Sequence, residues 1–217
     1  MISAIILAGG SSIRLGGETP KQFLEIDGKE LIDFSISTFL SVKEIDEIIL
    51  VIPQRYKQKV EEKYPNLNVV IGGSSRQKSS YNGILACSEY TEKVLIHDAA
   101  RVFITSKLIK NCIETLDKYD AVTLAIPLVD TIALCENNNI KKIENRENLK
   151  AIQTPQGFDY KKIKLVHENF KNDATDDMKL MLESGYPCKI INGHEDNFKI
   201  TTQADLFYAE YKIKGQK

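Results

Sequence analysis

Cysteine is scarce in this chain and never spaced as C-x-x-C; the four are Cys87, Cys112, Cys135 and Cys188. That pattern gives no support to a zinc site. Their scatter through apolar segments predicts reduced, buried thiols and a cytoplasmic address. Neither sign of charge is in excess. The 29 basic and 30 acidic residues leave a formal net charge of -1, which excludes a global electrostatic pull toward nucleic acid. Local basic clusters can still hold a phosphorylated small molecule. Long hydrophobic runs are also missing. The opening MISAIILAGG is too short to cross a bilayer, has no basic flank and runs straight into glycines. It reads as a first strand rather than a signal peptide, and no membrane partner is expected. Neither G-x-G-x-x-G nor G-x-x-x-x-G-K-[ST] follows that strand, so a dinucleotide-dependent oxidoreductase and a Walker-type site are both poor readings. There is no internal repeat and no low-complexity linker.

What is present is ordinary in bulk and specific in detail. The 217 residues are 42% hydrophobic and 27% charged, enough for one domain, 1–217, with a core that needs no staples. Short apolar runs alternate with helical periodicity. Strands are predicted at Ile2–Leu7, Glu47–Ile52, Leu67–Ile71, Val94–Ile96 and Ala121–Ile126. Helical faces fall between them, as in Leu31, Ile32, Ile36, Phe39 and Leu40, or Leu108, Ile109, Cys112, Ile113 and Leu116. The rhythm predicts an α/β, Rossmann-like, mainly parallel sheet with helices on both faces. From about 127 to 150 it breaks. Thr131–Leu134 and Ile140–Ile143 flank an Asn-rich turn, which predicts a projecting β-hairpin arm whose natural support is a second subunit. Beyond it come helices near Lys161–Phe170 and Asp176–Ser184, short strands near Lys189–Ile191 and Phe198–Ile200, and a last helix from about Thr202.

In an open α/β sheet, ligands sit beyond the carboxyl ends of the strands. The first strand ends in Leu7-Ala8-Gly9-Gly10-Ser11-Ser12-Ile13-Arg14, followed by Pro20-Lys21-Gln22. Small residues let backbone N–H groups approach phosphate oxygens, and two cations beside them suit a triphosphate. The plainer alternative is a flexible loop with solvated charges, and the two cations weigh against it. Gly72-Gly73-Ser74-Ser75-Arg76 repeats the logic after the third strand, with a Ser cap opening a helix and Ser79 one turn inside. Alone it is a common strand-to-helix turn. His97-Asp98-Ala99-Ala100-Arg101 ends the fourth strand. Asp98 suits a magnesium shell, a substrate hydroxyl or an Asp–Arg structural pair. His97 reads as structural, and His167 and His194 as surface residues. Pro155 in Gln153-Thr154-Pro155-Gln156 argues against a central strand there. Lys199 lies in a short β-type run and can face a ligand or solvent.

In order, the segments LAGGSSIRLG, PKQFL, GGSSRQKSSYNGI, HDAAR, DTI, NREN, QTPQGF, TDDMKL and NFKITTQADL resemble the cytidylyltransferases that make CDP-linked polyols. The chain is most similar to the 2-C-methyl-D-erythritol 4-phosphate cytidylyltransferase family of the non-mevalonate isoprenoid pathway. Ribitol-5-phosphate cytidylyltransferases of wall and capsule synthesis share most of these motifs. Asn82-Gly83, Ala99-Ala100 and Thr175-Asp176-Asp177 side with the first family; LAGG, Phe103-Ile104-Thr105 and Thr201-Thr202 are also at home in the second. Two positions depart from the pattern. Ser12 replaces a loop glycine, and Val102 replaces a proline, which removes a rigid turn.

The resemblance implies transfer of CMP from CTP to a polyol phosphate by in-line attack on the α-phosphorus, with pyrophosphate leaving. Arg14, Lys21 and Lys199 would be catalytic. Leu7, Ala8, Gly9, Gly10, Ser12, Gly72, Ser74, Ser79 and Ala99 would hold CTP. Asp98, Arg101, Thr131, Arg146 and Thr154 would hold the polyol phosphate, with Thr131 and Arg146 supplied by the partner's arm in a homodimer. Magnesium would bridge the phosphates, with Asp98 the candidate protein ligand. A nucleotide-binding module that has lost catalysis is the rival of another class. Retention of Arg14, Lys21, Arg146 and Lys199 argues against it.

Overall fold

The computed structural model describes residues 1–9, 19–170 and 174–215. Its centre is a seven-stranded sheet. In chain order the strands of this sheet and of the arm are β1 (Ile2–Leu7), β4 (Glu47–Ile52), β5 (Asn68–Ile71), β6 (Lys93–Asp98), β7 (Ala121–Pro127), β8 (Ala133–Glu136), β9 (Asn139–Ile143), β10 (Lys150–Asp159) and β11 (Cys188–Asn192). Between β1 and β4 lies a small hairpin of β2 (Glu25–Ile26) and β3 (Lys29–Glu30). The sheet order is β11-β7-β10-β6-β1-β4-β5. β10 is antiparallel to both its neighbours, and the other pairings are parallel. The fold class is the Rossmann-like α/β class read from the rhythm of the chain.

Alternation along each strand sends side chains to opposite faces. Ala4 and Ile6 of β1, with Leu50, Ile52 and Leu95, pack on α1 (Leu31–Leu40) and α4 (Ser106–Thr115). Ile5 and Leu7, with Ile49, Val51 and Ile96, pack on α3 (Arg76–Leu85), α5 (Tyr160–Asn169) and α6 (Asp177–Glu183). Burial on both faces is why these strands read as continuous apolar runs. A third cluster, with Leu31, Val102, Ile200 and Ala209, seats α7 (Gln203–Lys214) against the loop after β6. Val102, one of the two departures from the family pattern, is a buried packing residue there.

Two expectations are corrected. Lys150–Asp159 is a ten-residue central strand despite Pro155. The ladder to β7 shifts between Gln153 and Gln156, so Thr154 and Pro155 sit at an irregularity where no ladder N–H is required of the proline. Phe198–Ile200 is not a strand. It is irregular backbone pinned at Ile200, whose N–H donates to Ala100 O at 2.9 Å.

β10 crosses the core so closely that Gly157 has no room for a side chain. A Cβ there would lie 2.7 Å from Leu116 Cδ1 and 2.9 Å from Cys112 Sγ. Gly157→Ala is expected to cost about 1–3 kcal/mol through overpacking. The check is a lower urea midpoint at unchanged m value.

The arm stands where the rhythm broke. β8 and β9 form their own two-stranded antiparallel sheet. Asn137 and Asn138 turn between them with φ of 49° and 63°, a left-handed pair that matches strand twist. Val129, Leu134, Ile140 and Ile143 are exposed on it, with Val129 77% exposed.

The strand order reverses between β1 and β6: β4 and β5 lie to one side of β1, and the later strands lie to the other. The crevice at that reversal opens at the carboxyl ends of β1 and β6, where Ala8-Gly9 and Asp98-Ala99 stand.

Candidate active site

Four strand ends, those of β1, β4, β5 and β6, converge on the crevice. Ala99 N donates to Leu7 O at 3.0 Å, Ala8 N to Val51 O at 2.7 Å, and Gly72 N to Ile52 O at 2.8 Å. Gly9 and Gly72 approach each other closely. A Cβ on Gly72 would lie 3.7 Å from Gly9 Cα and 3.1 Å from Ser79 Oγ. Ser79 Oγ accepts from Gly73 N at 3.0 Å and donates to Ser75 O at 2.9 Å. Ser79 thus shapes the loop, while Ser75 Oγ caps α3 by accepting from Lys78 N. Ser74 Oγ accepts from Lys78 Nζ at 3.2 Å. Gly10, Ser12 and Arg14 lie outside the described residues.

Lys21 opens a short 3-10 turn after Pro20. Its Nζ donates to Ile200 O at 2.5 Å. The neighbouring Gln22, whose part the sequence does not announce, donates from its buried amide to Ala8 O. Lys21 is therefore tied to the backbone one residue from Lys199, and its neighbour to the end of β1.

Lys199 Nζ meets Asp98 Oδ2 at 2.7 Å, and Arg76 Nε lies 3.6 Å from Asp98 Oδ1. Burial works to raise the Asp98 pKa, but Arg76, Lys199 and Arg101 outweigh it and hold the carboxyl well below the usual carboxylate range. Behind Arg76, its NH1 pairs with Asp177 Oδ2 at 2.6 Å, and Asp177 Oδ1 meets His167 Nε2 at 3.0 Å. His167, expected at the surface, is buried on the face of α5 that packs against Tyr81 of α3 and Asp177 of α6. His194 is exposed. Arg76 and Asp177 are functional candidates that sequence reasoning missed, although both lie in motifs already singled out, GGSSR and TDD.

Thr154 departs from the expected pocket-lining hydroxyl. Its Oγ1 accepts from Asp98 N at 3.0 Å and lies 3.1 Å from His97 Nδ1. Burial pushes the His97 imidazole down to about 3, so the ring is neutral. Thr154→Val removes this bridge and leaves the Asp98 N–H without its acceptor. It is expected to lose about 1–3 kcal/mol, read as a fall in urea midpoint.

Arg101 is likewise engaged by backbone: NH1 donates to Asn197 O at 2.8 Å and NH2 to Ile152 O at 3.3 Å. Asn197 Nδ2 donates to Thr154 O at 2.9 Å. The turn before Lys199 is thereby fastened to β10 and β6. Thr131 and Arg146 are exposed on the arm, and Arg146 NH1 donates to Val129 O at 2.5 Å. Among the described residues, no hydrogen bond or ion pair joins Thr131 or Arg146 to the crevice.

A protein-held metal fits this site poorly. Asp98 is one carboxylate among three cations, and no group of three His, Cys, Asp or Glu able to hold an ion occurs among the described residues. The cysteines are all free. Cys87 and Cys112 are buried, with burial pushing each thiol up to about 12, whereas Cys135, expected buried, is exposed on the arm and Cys188 is half-buried.

Residues 2–215 match the family model described as IspD: 2-C-methyl-D-erythritol 4-phosphate cytidylyltransferase. Among curated relatives, the enzyme of that name from Clostridium perfringens (strain SM101 / Type A) is 35% identical, over 98% of this chain and 99% of its own length. The one from Clostridium beijerinckii is 36% identical over 99% of each. Among solved structures, the 4-diphosphocytidyl-2C-methyl-D-erythritol synthase of Anaerococcus prevotii superposes with a TM-score of 0.88 at 32% identity, covering 98% of this chain and 96% of that one. Among the described residues no helix is long and apolar enough to cross a membrane.

Proposed function

The chain belongs to the 2-C-methyl-D-erythritol 4-phosphate cytidylyltransferase family, and on that premise we propose that it transfers CMP from CTP to 2-C-methyl-D-erythritol 4-phosphate in isoprenoid precursor synthesis. A phosphate oxygen of the acceptor attacks the α-phosphorus of CTP. The bond from that phosphorus to the bridging oxygen breaks, and pyrophosphate leaves with the electron pair. The products are CDP-methylerythritol and pyrophosphate. Such chemistry depends on positioning and charge stabilisation more than on a protein nucleophile.

One observation carries the assignment. Lys21 and the Lys199 segment, far apart in sequence, are bonded to each other at the mouth of the crevice, through Lys21 Nζ and Ile200 O at 2.5 Å. Lys21 and Lys199, joined by Arg14, stabilise charge on the α-phosphoryl group and on the leaving pyrophosphate. Leu7, Ala8, Gly9, Gly72, Ser74, Ser79 and Ala99 present backbone groups and mostly small side chains to cytidine and phosphates, and Gly10 and Ser12 join them in holding CTP. Asp98 takes an acceptor hydroxyl, and Arg101 keeps the same wall in place beside it. Thr131 and Arg146 reach the acceptor phosphate from a partner's arm, and the exposed apolar side chains of the arm support a homodimer. Magnesium would be held by the CTP phosphates and would supply neutralising charge there. Free thiols fit a reducing cytoplasm.

Pyrophosphate release is measured with CTP and separate acceptors. Release with 2-C-methyl-D-erythritol 4-phosphate is expected. Preference for ribitol 5-phosphate moves the chain's activity to that acceptor. No release with any acceptor overturns the enzyme reading in favour of a nucleotide-binding module.

A further inference from the structure

Arg76 stands at the first position of α3, and α3 has no acidic residue in its first turn. A cation is the wrong sign there for the helix dipole, so helix stability does not explain it. Its contacts do. The guanidinium links Asp98, at the crevice, to Asp177, whose side chain is only 1% exposed. Asp177 is held by His167, and the His167 ring stacks on Tyr81 of α3, with centroids 5.6 Å apart and planes 4° off parallel. The circuit from α3 through α6 and α5 closes back on α3. Arg76 NH2 is buried without a partner, so the guanidinium keeps donor capacity.

The two close counter-ions of Asp98 differ in freedom. Lys199 has a side chain 35% exposed, on irregular backbone. Arg76 is pinned from behind. An ammonium drawn to a nucleotide phosphate gives up its place on the carboxylate, and a buried carboxylate left without a partner is costly. Resting on the cytidylyl-transfer reading, we propose that Arg76 is a positioning residue, anchored by Asp177, that holds the Asp98 carboxylate in place when Lys199 turns to the nucleotide. Asp98 then keeps its aim at the acceptor throughout turnover.

The test compares Arg76→Met, Arg76→Lys, Asp177→Asn and the double variant R76M/D177N in steady-state kinetics, each checked for cooperative melting. For R76M, kcat is expected to fall roughly tenfold to a hundredfold, the order that misplacing a site group costs. KM for CTP should stay within about threefold, because binding of the nucleotide is kept. R76K restores part of kcat, since one ammonium replaces the charge but not the two-sided grip. D177N lowers kcat in the same direction, and the double variant is no worse than R76M. Unchanged kcat in R76M, or losses that multiply in the double variant, overturns the proposal. Should R76M not melt cooperatively, R76K with and without D177N makes the same comparison. A wild-type chain without CTP-dependent pyrophosphate release sinks the transfer reading and this inference together. An active wild type indifferent to Arg76 sinks this inference alone.

Discussion

Lys199→Ala is expected to lower kcat/KM by roughly 10²- to 10³-fold, the usual cost of removing one preorganised donor from a developing negative charge. The side chain reaches the crevice with its Nζ 2.7 Å from Asp98 Oδ2, on backbone fastened by Ile200 N to Ala100 O and by Arg101 to Asn197 O. None of those backbone anchors uses the Lys199 side chain. The substitution therefore leaves the segment in place and removes only its charge. Asp98 keeps Arg76 and Arg101, so the melting temperature should move by no more than about 4 °C, the equivalent of a weak ion pair. Activity within a few-fold of wild type would falsify the placement of Lys199 at the reacting phosphate. A collapse in stability matching the loss of rate would make the residue structural instead.

Removing the arm should have an effect of similar size on a different step. Pro127 and Lys150 are direct partners across the β7–β10 ladder. The arm leaves and re-enters the sheet at one paired position, so a short Asn-Gly turn can replace residues 129–147 without altering the ladder. The shortened chain is expected to fold, to run as a monomer in sedimentation, and to lose roughly 10²-fold or more in kcat/KM for the acceptor. That size follows from losing Arg146 and Thr131 together, since a hydrogen bond to a charged group contributes about 1.5–3 kcal/mol. The KM for CTP should change little. A shortened chain that stays dimeric locates the interface elsewhere. A monomer with full activity removes the partner's arm from the site.

Both experiments rest on contacts with different legibility in the chain. The arm could be read directly. A change of rhythm after Ile126, two short β-type runs and an Asn cluster announced it, because a hairpin is a local structure and its turn residues carry its geometry. The strands Ile2–Leu7 and Glu47–Ile52 could also be read, since burial on both faces writes an unbroken apolar run. The helix start at Ser75 followed from side-chain capping, another local effect. β10 was not legible. Pro155 is a sound local argument against a central strand, and it fails because a ladder irregularity at that point relieves the missing donor. His167 looked like a surface histidine because its own neighbours, Lys161, Lys162 and Lys164, are charged; the groups that cover it, Tyr81 of α3 and Asp177 of α6, lie on other helices.

The crevice divides along the same line. Composition and periodicity were enough to establish an α/β sheet, its first strands and the hairpin arm, and the ordered motifs were enough to place the chain among cytidylyltransferases. Those features depend on residues close together in sequence or on motif order, which one-dimensional reading captures. The charge circuit of Asp98, Lys199, Arg76 and Asp177 needed folding to appear. Lys199 meets Asp98, and Arg76 meets Asp177, each across 101 residues, and no propensity or spacing encodes a pairing at that range. It arises because the sheet reverses order between β1 and β6, which brings distant loops to one mouth where buried charges must find partners.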